Sequence, residues 1–269
     1  MKMQKKSMGP GFAVLLMLAA CSSPSETLDS APNDAGADLA SSDAAGMRTT
    51  LRVDFNDGTF GPLGRSYGPT DNPMMADSRY TVNVVAGEAH YVAPAAAGGA
   101  RLTGMLDLPS SVVPIRTNLT HEFRFPVAAE LRALGNGQAA ATAIAGCYLR
   151  GGLIGAAGEW QGGLYGDYWF GFVLSNNQRV SAIRQGNTNL QSEPFPTTAT
   201  SVSYRIEKSG TTLQLFASYD GAGFHQVGNP VTLLVNAGGT DAVAVTHVRV
   251  LDTSGAAIDV RADDFVWTY

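Results

Sequence analysis

Charge and cysteine are what this chain has least of. Of its 269 residues, 15% are charged and two are cysteine. A soluble domain ordinarily carries about a quarter charged residues. Two cysteines exclude both a disulfide-stapled scaffold and a four-thiolate zinc site. With 18 Lys and Arg against 23 Asp and Glu, the net charge is −5, so the basic face that a nucleic-acid binder needs is missing. No apolar run is long enough to cross a bilayer as a helix, because the longest, Gly11 to Ala20, would span about 15 Å, half of a hydrocarbon core. Other catalytic signatures fail as well: there is no P-loop, and His121-Glu122 is followed at position 125 by Phe, which breaks the H-E-x-x-H zinc pattern.

What is present divides into three unlike pieces. Lys2, Lys5 and Lys6 precede the Gly11–Ala20 apolar run, the layout of a secretory signal. The run ends in Leu18-Ala19-Ala20-Cys21, which resembles the lipobox of bacterial lipoproteins. The resemblance implies cleavage after residue 20, a diacylglyceryl thioether on Cys21 and acylation of its new amine, for example by palmitate. Several acyl chains, at about 0.8 kcal/mol per buried methylene, anchor far more firmly than one. The expected localisation is the cell envelope, with the membrane as a partner through the lipid anchor. Ser22 and Ser23 follow Cys21 without an Asp, a pattern resembling outer-membrane sorting if the source is Gram-negative. Residues 21–48 continue as Ser, Ala, Asp, Pro and Gly, with Glu26, Asp29, Asp34, Asp38 and Asp43 and no base before Arg48. Such a stretch buries too little to offset its ordering entropy and is predicted to be a disordered spacer.

Residues 49–269 form the third piece. Period-two alternation predicts strands over 50–55, 80–85, 88–93, 99–104, 112–116, 119–125, 141–150, 164–174, 178–184, 202–207, 212–219, 231–235, 243–251 and 257–267. Turn residues separate them: Asn56-Asp57-Gly58, Ala86-Gly87, Asn176-Asn177, Ser209-Gly210 and Asp220-Gly221. The one helical signal is Pro126 to Leu134, with Pro in its first turn and Gly135 as its stop. Many short antiparallel strands predict an all-β sandwich or barrel.

The succession Val53-Asp54-Phe55-Asn56-Asp57-Gly58, a central Tyr168-Trp169-Phe170-Gly171-Phe172 strand, Tyr204-Arg205-Ile206-Glu207, the Ser218-Tyr219-Asp220-Gly221 hairpin and a terminal Asp263-Asp264-Phe265-Val266-Trp267 strand resembles a concanavalin A-like lectin/glucanase domain of the laminin-G-like kind. The resemblance implies a two-sheet antiparallel jelly roll, with sugars bound on a sheet face or its rim loops.

Glucanases of this fold carry E-x-D-x-x-E or a shorter form, because glycoside hydrolysis needs two carboxylates about 5–9.5 Å apart. The domain's glutamates, Glu88, Glu122, Glu130, Glu159, Glu193 and Glu207, never fall in that pattern, and no Gln-x-His strand suggests a lyase. A non-catalytic domain is therefore expected. Asp263 and Asp264, adjacent on a strand, are expected on opposite faces. Cys147, in an apolar strand, reads as a buried thiol.

Two sites are candidates. Jelly rolls of this kind often hold structural calcium, for which Asp54, Asn56, Asp57, Asp263 and Asp264 supply hard oxygen ligands. A sugar needs an aromatic platform with polar neighbours. Trp169 is expected to face away from the core beside Asp167 and Gly171, with Trp160 and Tyr165 flanking it and Arg205, Gln214 and Phe216 on nearby strands. The functional expectation is a lipid-anchored, lectin-like module that binds a polysaccharide or glycoconjugate. A divergent polysaccharide-degrading enzyme and an adhesive protein binding another surface protein are the alternatives.

Overall fold

In the computed structural model of the protein, residues 48–67, 81–95, 102–107, 118–136, 141–151, 153–154, 160–162, 167–232 and 243–269 are described. In chain order the elements begin with β1 (Thr50–Val53), β2 (Gly64–Tyr67), β3 (Thr81–Val85), β4 (Glu88–Ala93), β5 (Leu102–Asp107), β6 (Asn118–Phe125) and α1 (Ala128–Ala133). They continue with β7 (Ala143–Gly151), β8 (Leu153–Ile154), β9 (Trp160–Gly162), β10 (Asp167–Ser175), β11 (Gln178–Gln185) and β12 (Thr188–Pro194). The last are β13 (Val202–Ser209), β14 (Thr212–Tyr219), β15 (His225–Gln226), β16 (Val231–Thr232), β17 (Val243–Asp252) and β18 (Ile258–Thr268).

Two antiparallel sheets share these strands, apart from β8 and β9, which pair only with each other. One runs β15-β14-β13-β6-β18-β4-β3, with β1 added beside β18 and β16 beside β14; the other runs β12-β11-β10-β7-β17-β5-β2. The predicted jelly-roll sandwich is the observed fold. Its core is the inner face of each strand, read off by alternation: Tyr168, Phe170, Phe172 and Leu174 from β10 meet Val202, Tyr204 and Ile206 from β13 and Phe123 and Phe125 from β6. Cys147 is fully buried in this core, and burial pushes its thiol pKa far up, so it is no thiolate nucleophile.

Local chemistry sets the connections. Asn176 and Asn177 take φ of 51° and 61°, the paired left-handed geometry of a tight β10–β11 hairpin that asparagine tolerates. Helix α1 is six residues long, and Gly135 beyond it has φ +70° as a stop residue should. Its N–H donates to the buried Asp252 carboxylate at 2.6 Å, and the other oxygen of Asp252 accepts from Ser254 N at 2.7 Å.

One expectation about β18 is overturned. Its inward residues are Ile258, Val260 and Ala262, then Phe265 and Trp267. The phase slips by one at a β-bulge, where Asp264 adopts φ +53° and the register against β6 shifts between Asp263 and Val266. The extra residue leaves Asp263 and Asp264 together on the outer side, because a bulge sets two residues opposite one. The predicted strand 112–116 lies outside the described residues. Strand β12 was not predicted, since its burial alternates too weakly to betray a buried face.

Candidate functional site

The outer face of the nine-stranded sheet is built from the outward residues of β1, β18, β6, β13 and β14. Register aligns Arg52, Val266, Glu122, Arg205, Phe216 and Gln226 in one row across five strands and β15. Arg205 is the centre of the row. Its guanidinium lies 4.7 Å from the centroid of Phe216 and 4.5 Å from that of Phe224, which reaches over it from the segment after the β14 turn. Two glutamates flank it, Glu207 at 3.0 Å and Glu122 at 3.9 Å. Burial raises the Glu122 pKa, Arg205 draws it back, and the neighbouring Glu207 pushes it up again. Beside this stack opens a cavity of about 250 Å³, lined by Arg52, Glu122, Arg124, Ser203, Phe224 and Asp264 among others. That volume is smaller than the ~300–1,000 Å³ of pockets for drug-sized ligands and suits one ring with hydroxyl groups. Its aromatic wall, alternating charges and hydroxyl can stack an apolar face and bond the polar edge of such a ring.

This geometry separates residues that the sequence grouped. Trp169 does face away from the core, as expected, but it belongs to the other sheet, so Arg205, Gln214 and Phe216 do not converge with it. Nor is it an open platform, being only 9% exposed. It packs with Tyr148, Ile144, Val173, Val180 and Ala182 in a second apolar cluster on the outer side of the seven-stranded sheet, 4.6 Å from the Tyr148 ring centroid. An aromatic ring on a sheet buries most of its area whenever neighbours of its row are large, and the sequence does not reveal who those neighbours are. The backbones of Asp167 and Trp160 lie in β10 and β9, but their side chains, like all of Tyr165 and Cys21, lie outside the described residues.

Three of the residues expected to bind calcium, Asp54, Asp57 and Asp264, have other partners. Asp264 holds Arg52 at 2.8 Å and Arg124 at 3.6 Å. Asp57 accepts from the N–H and hydroxyl of Thr59, each at 2.8 Å, which lowers its pKa and marks a tight turn. Asp54 accepts the N–H of Asn56 at 3.2 Å. Asp263 keeps one carboxylate oxygen buried without a hydrogen-bond partner, and burial pushes its pKa up to about 6. Among the described residues no group of three or more His, Cys, Asp or Glu is placed to hold a metal ion. Asp54, Asn56, Asp57, Asp263 and Asp264 thus do not assemble into a calcium site in this geometry.

A polar relay joins the sheets at one rim. Ser181 Oγ lies 2.7 Å from both Tyr204 Oη and Tyr219 Oη; Tyr219 donates to Glu193 at 2.8 Å, and His225 Nε2 lies 2.9 Å from the same carboxylate. Burial raises the pKa of both tyrosines, so they act as hydroxyl donors and not as phenolate bases. This is a cross-sheet tie. Phe224, Glu122 and this relay are not among the site residues the sequence singles out, Phe224 because it lies outside any strand.

No protein-family model matches the chain, and no curated protein sequence matches it. Solved structures do. The CBM2 module of the evolved Dit of Lactobacillus casei BL23 phage J-1 has a TM-score of 0.52 at 14% identity, covering 81% of this chain and 94% of that one. Peanut lectin gives 0.47 at 10% identity over 83% and 99% of the two chains. Lectin I-B4 from Griffonia simplicifolia gives 0.46 at 12% over 82% and 98%. The first of these, with a TM-score above 0.5 at 14% identity, shows a likeness of fold alone.

Proposed function

We propose that the chain is a lipid-anchored cell-envelope protein whose β-sandwich binds a polysaccharide or glycoconjugate without turning it over. The observation that carries the binding is the Phe216–Arg205–Phe224 stack beside its 250 Å³ cavity. In this reading the exposed side of Phe224 takes the apolar face of a sugar ring, and Arg52, Arg124, Glu122 and Ser203 bond its hydroxyls. Anchoring rests on the lipobox-like Leu18-Ala19-Ala20-Cys21, and the acidic spacer of 22–48 sets the domain away from the lipid. If the source is Gram-negative, the Ser22-Ser23 pattern assigns the outer membrane.

The enzymatic alternative has one observation in its favour. Glu122 and Glu207 are diagonal neighbours on paired strands, and Glu122 has the raised pKa of a general acid. Against it, Arg205 stands between the two and pairs with both, which neutralises the pair in place of leaving room for water. A glycan array probed with the detergent-solubilised chain, followed by calorimetry and reducing-sugar assay on each hit, separates the readings. The expected result is binding without sugar release, weakened about ten-fold or more in Phe224→Ala, since an aromatic contact contributes roughly 1–2 kcal/mol. Sugar release that is lost in Glu122→Gln establishes the enzyme instead. Binding that Phe224→Ala leaves intact removes this cavity as the site, and an array with no hit favours the adhesive alternative.

A further inference from the structure

The outer side of the seven-stranded sheet carries an arginine with no visible reason to be there. Arg184 is the penultimate residue of β11, opposite Trp169 on β10 and Asn189 on β12. It is only 3% exposed. Its Nε donates to Gly186 O at 2.8 Å and its Nη2 to Asn187 Oδ1 at 3.2 Å, both within its own hairpin. Its Nη1 is buried and has no hydrogen-bond partner. No carboxylate pairs with it among the described residues. A guanidinium does not give up its proton, so this is a full positive charge withdrawn from water and left without a counter-charge. Burial accordingly lowers its pKa. Buried cations in folded proteins are almost always paired.

A second arginine leans toward the same place. Arg249 of β17 lies with its guanidinium 4.7 Å from the Tyr148 ring centroid and 5.4 Å from that of Trp169. The Trp169 indole is thus flanked by Arg184 on the next strand and Arg249 on its other side. The adjoining row of the sheet has almost no side chains: Arg249 is followed by Gly146, Gly171 and Ala182. The two glycines are obligatory, because a Cβ on Gly146 would meet Phe170 O at 2.1 Å and one on Gly171 would meet Ala145 O at 2.7 Å. The free Nη1 edge of the planar Arg184 guanidinium, beside a stretch of nearly bare backbone, can receive an oxygen of an oxyanion.

We propose that Arg184, beside Trp169, binds the carboxylate or sulfate group of an acidic saccharide, at a site separate from the Phe224 cavity. That the group is carried by a saccharide rests on the function proposed above; the anion site itself does not. The buried charge then has a purpose: it is completed by the ligand.

The test uses the full chain in detergent, at constant ionic strength, with sodium glucuronate, sodium sulfate and neutral glucose as probes and thermal unfolding as the readout. Glucuronate, sulfate or both are expected to raise Tm by roughly 3–6 °C at about ten times Kd, while glucose leaves it unchanged. Arg184→Met is expected to abolish that rise and to melt higher than the wild type without ligand, since it removes an uncompensated buried charge. Arg184→Lys keeps the charge but loses the planar fork, and is expected to lose most of the rise; it decides the matter if Arg184→Met does not fold. A response to glucuronate alone assigns a carboxylate, one to sulfate alone a sulfate ester, and equal responses a general oxyanion site. No rise with either anion, or an equal rise in the Arg184 variants, overturns the proposal. Neither result depends on the array, so the two readings fail separately.

Discussion

His121 makes the stability of this sandwich depend on pH in a way that a single substitution can isolate. It sits on the inner face of β6, 1% exposed, directly behind the outward Glu122. Its ring stacks on Trp267 at 4.4 Å and 6°, and its Nδ1 lies 3.1 Å from Val266 O, to which it donates. Burial lowers its pKa from 6.5 to about 4, with the Val266 carbonyl pulling weakly the other way. The folded protein therefore binds fewer protons at this residue than the unfolded chain does between pH 6.5 and about 4. Stability from this group is fully present above 6.5 and is lost as pH falls toward 4. At about 1.4 kcal/mol per pKa unit, the loss over that window is about 3 kcal/mol. Carboxylates titrate in the same range, and Asp263, raised to about 6, acts with the opposite sign, weakening the fold as pH rises through its window. Comparing wild type with His121→Phe cancels those terms, since both proteins contain them. Urea unfolding followed by tryptophan fluorescence, at neutrality and at about pH 4, gives the two free energies. The wild-type advantage over His121→Phe should shrink by about 3 kcal/mol between the two conditions. An advantage that stays constant with pH would refute the burial argument for His121.

Two further outcomes follow from the same structure. Asp252→Ala strips the acceptors from two buried N–H groups, Gly135 and Ser254, at roughly 1–3 kcal/mol each, and should lower Tm by about 4–24 °C in a thermal melt; a fall under about 2 °C would show that the carboxylate is dispensable. Cys21→Ser should move the chain from the membrane to the soluble fraction and abolish labelling by radioactive palmitate; a labelled variant would place the lipid elsewhere.

The strands were legible wherever one face is apolar. The alternation of β10 gave its inner face correctly, and Asn176-Asn177 and Pro126–Gly135 announced a hairpin and a short helix from backbone preferences alone. Alternation says which face a side chain takes, but not which sheet its strand joins. That is why Trp169 and Arg205 were grouped although they lie on opposite outer surfaces. A bulge inserts a phase slip that no period-two reading anticipates, so Asp263 and Asp264 were assigned to opposite faces. The aromatic–arginine stack depends on Phe224, whose position is set by a turn and by no periodic signal. Arg184 stands next to the end of a strand whose pattern is otherwise ordinary, and its missing partner becomes evident only when its neighbours are known.

The pairing of β1 with β18 has a mechanical meaning. Thr49 and Tyr269 exchange both backbone hydrogen bonds, at 2.8 and 3.0 Å, and the ladder continues from Thr50↔Thr268 to Val53↔Phe265. A pull entering through residue 48 runs along β1, across bonds that lie perpendicular to it, so the rungs share the load in shear and do not open one by one. Arg52 stands on β1 and Asp264 on β18, and their ion pair crosses this seam at the edge of the cavity. With anchoring and binding as proposed above, tension entering at residue 48 and occupancy of the cavity would be borne by the same two strands.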